Sequence, residues 1–236
     1  MKSKVLFHLA LIGFLAVNGS LLSANEVKKE KNLPNFEAGI SAGLLSAEQL
    51  YGLDVTINMP ITHILTTQFL INSDYLVANR SQNSYSQSEV VGNVFLRNDG
   101  GKLGAGVGYK ERKPNEEELD KESSTTLTFY GDLYFGDLTV GISETEYEEN
   151  IATFTGQSVG VAYYINPNEK FFLRKDKINR GDVWVLGVGL QPKKLSNQVG
   201  LQLSIERGKE SFYLGLGINY YFDTAISLQR RDRDYR

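Results

Sequence analysis

Residues 211–222, S-F-Y-L-G-L-G-I-N-Y-Y-F, carry the pattern that most restricts what this chain can fold into. Phe212, Leu214, Leu216, Ile218, Tyr220 and Phe222 form an unbroken apolar or aromatic row at every second position. Between them lie Ser211, Tyr213, Gly215, Gly217, Asn219 and Tyr221. Successive side chains of a strand point to opposite faces, so this segment has one greasy face and one small or polar face. The open question is which solvent the greasy face meets.

The same alternation recurs upstream. Phe36, Ala38, Ile40, Ala42 and Leu44 alternate with Glu37, Gly39, Ser41 and Gly43. Leu103, Ala105, Val107 and Tyr109 alternate with Gly104, Gly106, Gly108 and Lys110, and Val199, Leu201, Leu203 and Ile205 with Gly200, Gln202 and Ser204. The pattern predicts about twelve strands, near 35–45, 49–59, 63–76, 88–97, 102–112, 125–135, 138–148, 156–165, 170–177, 182–191, 198–206 and 211–222. Their regularity is weakest in the third, fourth and ninth. Connections after even strands are compact and rich in turn residues, as in Asn98-Asp99-Gly100-Gly101 and Gly136-Asp137. Several after odd strands are longer and polar, notably 77–87, 113–124 and 149–155. Short turns at one end and longer loops at the other are the layout of an all-β, antiparallel meander barrel that spans a membrane.

A soluble sandwich or ligand-binding barrel would show water a face rich in Lys and Glu and would need charged edges. Here the second face is mostly Gly, Ser, Thr, Asn, Gln and Tyr, with roughly one charge per strand, which suits an enclosed lumen. Aromatics gather toward strand ends, at Phe36, Tyr51, Tyr109, Phe135, Tyr163, Phe212, Tyr220 and Phe222. Such rings favour the boundary between lipid and water.

The flanks read differently. Residues 1–4 hold two lysines, 5–17 are an apolar run, and 18–24 end in small residues. That is the three-part form of a secretory signal peptide, with cleavage expected after Ala24. Residues 25–34 read as a flexible charged leader and 223–236 as a charged, solvated periplasmic tail without strand or helix period. The chain has no cysteine, which removes disulfides and thiolate metal sites. Without residues 1–24 its formal charge of −3 becomes −5, since Lys2 and Lys4 leave with them. Mild acidity argues against a nucleic-acid partner.

Residues 215–222, G-L-G-I-N-Y-Y-F, resemble the C-terminal assembly signal of Gram-negative outer-membrane β-barrel proteins. Gly217, Tyr220 and Phe222 match the motif, while Gly215 stands where those proteins prefer a polar residue. Their final aromatic is usually the last residue, whereas 14 residues follow Phe222. The resemblance implies insertion by the barrel-assembly machinery, contact with outer-membrane lipid and lipopolysaccharide, and a barrel over 35–222.

Few residues suggest chemistry. The glycines at 104–108 and 187–189 fall at period two inside strands, not on the strand-to-helix turn that a phosphate loop needs. Inward glycines instead let Tyr130, Tyr134, Tyr164 and Tyr213 lie over the wall and narrow the lumen. His63 is the one histidine left after signal cleavage and reads as a turn residue, not a general base. Glu144, Glu146, Glu148 and Glu149 read as a solvated acidic rim, and Arg180-Gly181-Asp182 as a hairpin turn. No metal, cofactor or catalytic group is expected. Parity places Glu37, Asp54, Arg97, Lys110, Asp132, Arg174 and Glu206 in the lumen, where charged side chains set ion preference. Their mixed signs fit an open lumen and a plugged one alike. The functional expectation is a narrow passive channel for small hydrophilic solutes. Its rivals are a closed barrel that binds a partner through its loops and an outer-membrane lipid-modifying enzyme.

Overall fold

In a computed structural model the described residues are 34–79, 84–116, 120–149, 153–178, 181–209, 211–222 and 226–236. Residues 1–24, read above as a signal peptide, nearly all of the expected leader and Arg180 lie outside them. Twelve strands form one closed antiparallel meander: β1 (Asn35–Leu45), β2 (Glu48–Pro60), β3 (Leu65–Val77), β4 (Tyr85–Asn98), β5 (Gly101–Pro114) and β6 (Glu122–Phe135) make the first half. β7 (Leu138–Glu149), β8 (Thr153–Asn166), β9 (Glu169–Ile178), β10 (Gly181–Leu190), β11 (Val199–Arg207) and β12 (Phe212–Tyr221) make the second. Each strand pairs with its sequence neighbours, and β12 closes on β1 with Ile218 opposite Ile40 and Tyr221 opposite Glu37. Closure satisfies every ladder and leaves no sheet edge, which strands in lipid require.

Burial follows the period of two and runs opposite to that of a soluble protein. Ile40 and Val107 are 58% and 61% exposed, while Asn58, Thr66 and Arg97 are at most 1% exposed. The eight aromatics that the sequence places at strand ends are all exposed on the outside. Tyr220 and Phe222 meet edge to face, ring centroids 5.1 Å apart. An apolar exterior around a polar interior is the arrangement that hydrocarbon selects.

Turn chemistry fixes the end that carries β1's start and β12's finish, called here the turn end. Asn98 Oδ1 accepts from the Gly100 and Gly101 N–H groups at 2.8 and 2.9 Å. Asn166 Oδ1 accepts from Asn168 N–H at 2.9 Å, and Gly136 takes φ +58°. At the opposite, loop end, Ser46 and Ala47 reverse β1 into β2 with φ of 51° and 73°, the positive values a two-residue hairpin needs.

Strands β4, β5, β6 and β8 run two or three residues farther toward the loop end than the apolar pattern indicates. There polar contacts continue the wall: Arg112 Nη2 donates to Gln87 Oε1 at 3.0 Å, and its guanidinium lies 4.5 Å from the Tyr85 ring centroid. Lys121 also pairs with Glu111. Backbone pairing persists beyond the lipid, but the apolar alternation that reveals it does not.

One expectation fails. Residues 226–236 are not a solvated extension: Leu228–Asp234 form a helix, α1, that enters the barrel at the turn end. Leu228, Arg231, Asp234 and Tyr235 are buried, Arg231 completely. Inward side chains of nine strands surround this segment, so polar partners supply what an apolar stripe supplies to an ordinary surface helix.

Candidate functional site

A helix leaves its first N–H and last C=O groups without intrahelical partners, and here the barrel wall satisfies both ends. At the start, Leu228 N–H donates to Asn168 Oδ1 at 3.2 Å and Gln229 N–H to the Pro167 carbonyl at 2.9 Å. Ser227 caps the helix by accepting from Arg230 N–H at 3.4 Å. At the finish, four successive carbonyls each find a wall donor. Lys102 Nζ donates to Asp232 O at 3.4 Å, Tyr134 OH to Arg233 O at 2.9 Å, Arg97 Nη1 to Asp234 O, and Gln68 Nε2 to Tyr235 O. Lys102 and Arg97 thus stand at the negative end of the helix dipole. Each such bond nets on the order of 1 kcal/mol, more where the donor is charged.

Side chains add a second layer. Asp232 Oδ2 lies 2.7 Å from Lys170 Nζ and accepts from Tyr164 OH at 2.8 Å; Oδ1 is 3.5 Å from Arg236 Nη1. Arg236 in turn makes a two-pronged pair with Glu37, Nε to Oε1 at 3.1 Å and Nη2 to Oε2 at 3.0 Å. Arg233 donates to Thr139 Oγ1 at 3.3 Å and to the Gly136 carbonyl at 2.6 Å. Its guanidinium lies over the Tyr134 ring, 4.8 Å from the centroid. Arg231 stacks on Tyr221 at 3.7 Å and Arg97 on Tyr235 at 5.1 Å. Burial alone would push the Asp232 carboxyl up, but the Lys170 and Arg236 cations and the Lys170 and Tyr164 hydrogen bonds outweigh it and hold it below its ordinary value. For Arg236, burial would favour loss of the proton, and Glu37, Tyr221 and Asp232 reverse that, so the guanidinium is held above its ordinary value.

The wall thins where it must admit large rings. A Cβ at Gly104 would lie 2.5 Å from Tyr130 and 2.7 Å from Phe95, and those two rings flank Lys102 Nζ at 5.8 and 5.7 Å. Tyr213 likewise crosses Gly43 and Gly215. Tyr134 and Tyr164 instead point their hydroxyls at the tail.

Toward the loop end the lumen holds a cavity of about 350 Å³ against the β6 to β9 wall, lined by Asp132, Ser143, Ser158, Lys170, Phe172 and Arg174 among others. Lys170 therefore faces the cavity and the tail at once. Arg174, although inward, keeps 48% of its side chain exposed, so water reaches this region.

All seven charged residues chosen by parity occupy inward positions, but they divide into two groups. Glu37, Arg97 and Asp132 belong to the floor: Glu37 and Arg97 hold the tail directly, and Asp132 holds Lys102 at 3.0 Å. Asp54, Lys110, Arg174 and Glu206 lie farther toward the loop end, with Arg174 and Glu206 in one row of the wall on either side of Val185. Arg174 pairs with Asp176 at 2.9 Å, and Lys110 stands opposite Glu89 in the ladder. Sequence reasoning missed Gln68, Lys102, Tyr134, Tyr164, Lys170 and Tyr221 as tail contacts. Parity alone puts Lys102 and Lys170 inside, beside outward Leu103 and Phe171, so their direction is legible though their partner is not. The remaining candidates lie elsewhere. His63 is exposed in the turn between β2 and β3, and Glu144, Glu146 and Glu148 stand on the outward parity of β7. Among the described residues no group of three His, Asp or Glu is placed to hold a metal ion.

A closed twelve-strand meander with an apolar exterior and a polar lumen defines the class of outer-membrane β-barrels. Solved structures agree: the KdgM porin in complex with disordered oligogalacturonate superposes with a TM-score of 0.63 at 11% identity, over 79% of this chain and 99% of that one. The COG4313 outer membrane channel from Pseudomonas putida F1 gives 0.59 at 12% identity, over 85% and 100%. Outer membrane phospholipase A from Escherichia coli gives 0.52 at 11%, over 79% and 92%. At such identities the likeness is one of fold, which channels and enzymes share. No protein-family model matches the chain, and no curated protein matches it in sequence.

Proposed function

We propose that this protein is a narrow, porin-like passive channel for small hydrophilic solutes, resident in a Gram-negative outer membrane, whose turn-end mouth its own C-terminal tail closes. The observation that carries this reading is the water-accessible cavity of about 350 Å³, whose wall mixes apolar surface with the charged and hydroxyl groups of Asp132, Ser143, Ser158, Lys170 and Arg174, and which ends on a non-covalent plug. Porin and channel neighbours support it, as does a solute-bound one among them. Short turns and both described chain ends then face the periplasm, with the longer loops outside. Export through the signal peptide, folding by the assembly machinery and contact with lipopolysaccharide complete the picture. Planar-bilayer recording tests it. Brief, infrequent conductance steps are expected from the full chain, lengthening in Arg236→Ala. Folded barrels silent in both forms would overturn the channel and leave the rival reading, a closed barrel that binds a partner through its loops.

A further inference from the structure

The carboxylate of Asp232 sits where a solute leaving the cavity would arrive. Lys170 Nζ and Tyr164 OH converge on its Oδ2 at 2.7 and 2.8 Å. Both donors belong to the wall, and Lys170 also lines the cavity, one inward step below Phe172 and two below Arg174. The aromatic face of Phe172 and the hydroxyls of Ser143 and Ser158 complete a wall suited to a compact, hydroxyl-bearing molecule. The floor is thus built as a carboxylate site that the chain itself fills.

We infer that Lys170 and Tyr164 form a binding site for the carboxylate of a small acidic solute, for which Asp232 is the resident surrogate, and that solute binding there loosens the tail. This rests on the channel reading for the side from which the solute comes. A ligand that binds only the wall vacated by Asp232 shifts the docked tail toward the released state by mass action, in proportion to its concentration over its dissociation constant. An isosteric neutral solute, lacking the charge that Lys170 requires, shifts nothing.

The test reads tail release without reading conduction. The full chain in detergent micelles is treated briefly with trypsin, and mass spectrometry follows cleavage after Arg230, Arg231 and Arg233, with glucuronate, glucose or glucosamine present. The docked tail is protected, so slow basal cleavage is expected, rising severalfold with glucuronate and unchanged with the other two. Asp232→Asn should raise basal cleavage and lower the glucuronate concentration for half-maximal effect severalfold, because the internal competitor has lost its charge. Lys170→Gln should raise basal cleavage and abolish the glucuronate response. Equal cleavage with glucuronate and glucose, or an unshifted half-maximal concentration in Asp232→Asn, overturns the inference even where bilayers conduct. Silent bilayers with a glucuronate-sensitive tail would overturn only the channel reading.

Discussion

The two ends of the lumen are built from the same strands and the same kinds of residue, yet they differ in what their charges face. At the turn end Glu37, Arg97, Lys102 and Lys170 meet partners from α1 or from Arg236 just beyond it. Toward the loop end Arg174 turns to Asp176 on its own strand, and Glu89 and Lys110 face each other across the β4–β5 ladder. Similar wall chemistry therefore gives a docked floor where a complementary segment is tethered nearby and a wet vestibule where, among the described residues, none is. On the proposed reading, closure is a property of the tail, not of the barrel.

The largest break in that contrast is to remove the tail. Truncation after Phe222 should leave the barrel assembled, because the β1–β12 ladder ends at Tyr221 and Phe222 N–H already donates to the Phe36 carbonyl at 3.1 Å. Heat-modifiable migration on gels checks this, and its loss would place the end of the folding unit inside the tail. Conductance of the truncated barrel should exceed that of the full chain by roughly tenfold or more, as expected when a strongly favoured closed state is deleted.

A smaller effect follows from cutting one tether. Glu37→Gln removes the two-pronged pair with Arg236, whose side chains are 5% and 25% exposed. Losing one member of such a sheltered pair costs on the order of 2 kcal/mol after screening, or roughly a thirtyfold rise in the released-to-docked ratio. A double-mutant cycle with Arg236→Ala separates the pair from the rest, and additive single effects would show that the two side chains do not act together.

Acid should loosen the plug in a defined window. The docked Asp232 has a depressed pKa, so its contribution is fully present above the ordinary carboxylate value of 3.8 and is lost as pH falls through the lower docked value. Tail release measured by trypsin-independent means, such as fluorescence of a dye placed at the C-terminus, should stay flat between about pH 5 and 8 and rise below about pH 4. In Asp232→Asn the acid rise should shrink, and an unchanged rise would assign it to another carboxylate.

The contrast between the ends also explains which parts were legible in the sequence. All twelve strands are readable because lipid and lumen impose a strict period of two. Even the weakest segments, around Arg97 and Arg174, fall on their proper faces. The tail is unreadable by the same route. Its helix is one of two turns, and the side chains it buries, such as Arg231, Asp234 and Tyr235 beside Leu228, form no apolar stripe. Its partners are spread over nine strands, so the complementarity exists only after the barrel closes. Two local signals remain: the helix-capping Ser227, and the alternating charges of Arg231-Asp232-Arg233-Asp234 opposite the inward Arg97, Lys102 and Lys170.

The smallest expected effect probes the vestibule alone. Among the described inward residues toward the loop end, Asp54, Asp74, Glu89, Asp176 and Glu206 outnumber Lys110, Arg112 and Arg174, so the vestibule should favour cations weakly. Glu206 stands beside Tyr213 in the ladder and makes no contact with the tail among the hydrogen bonds and ion pairs that seat it. Glu206→Gln should lower the cation-to-anion permeability ratio, read from reversal potentials in a salt gradient, by roughly twofold, since one wall charge in a water-filled lumen is well screened. It should also let glucuronate act at a modestly lower concentration, because a like charge on its path is gone, while basal tail release stays as it was. A change in basal release would mean that the vestibule and the floor are coupled, and that the division between a sealing end and a conducting end is too sharp.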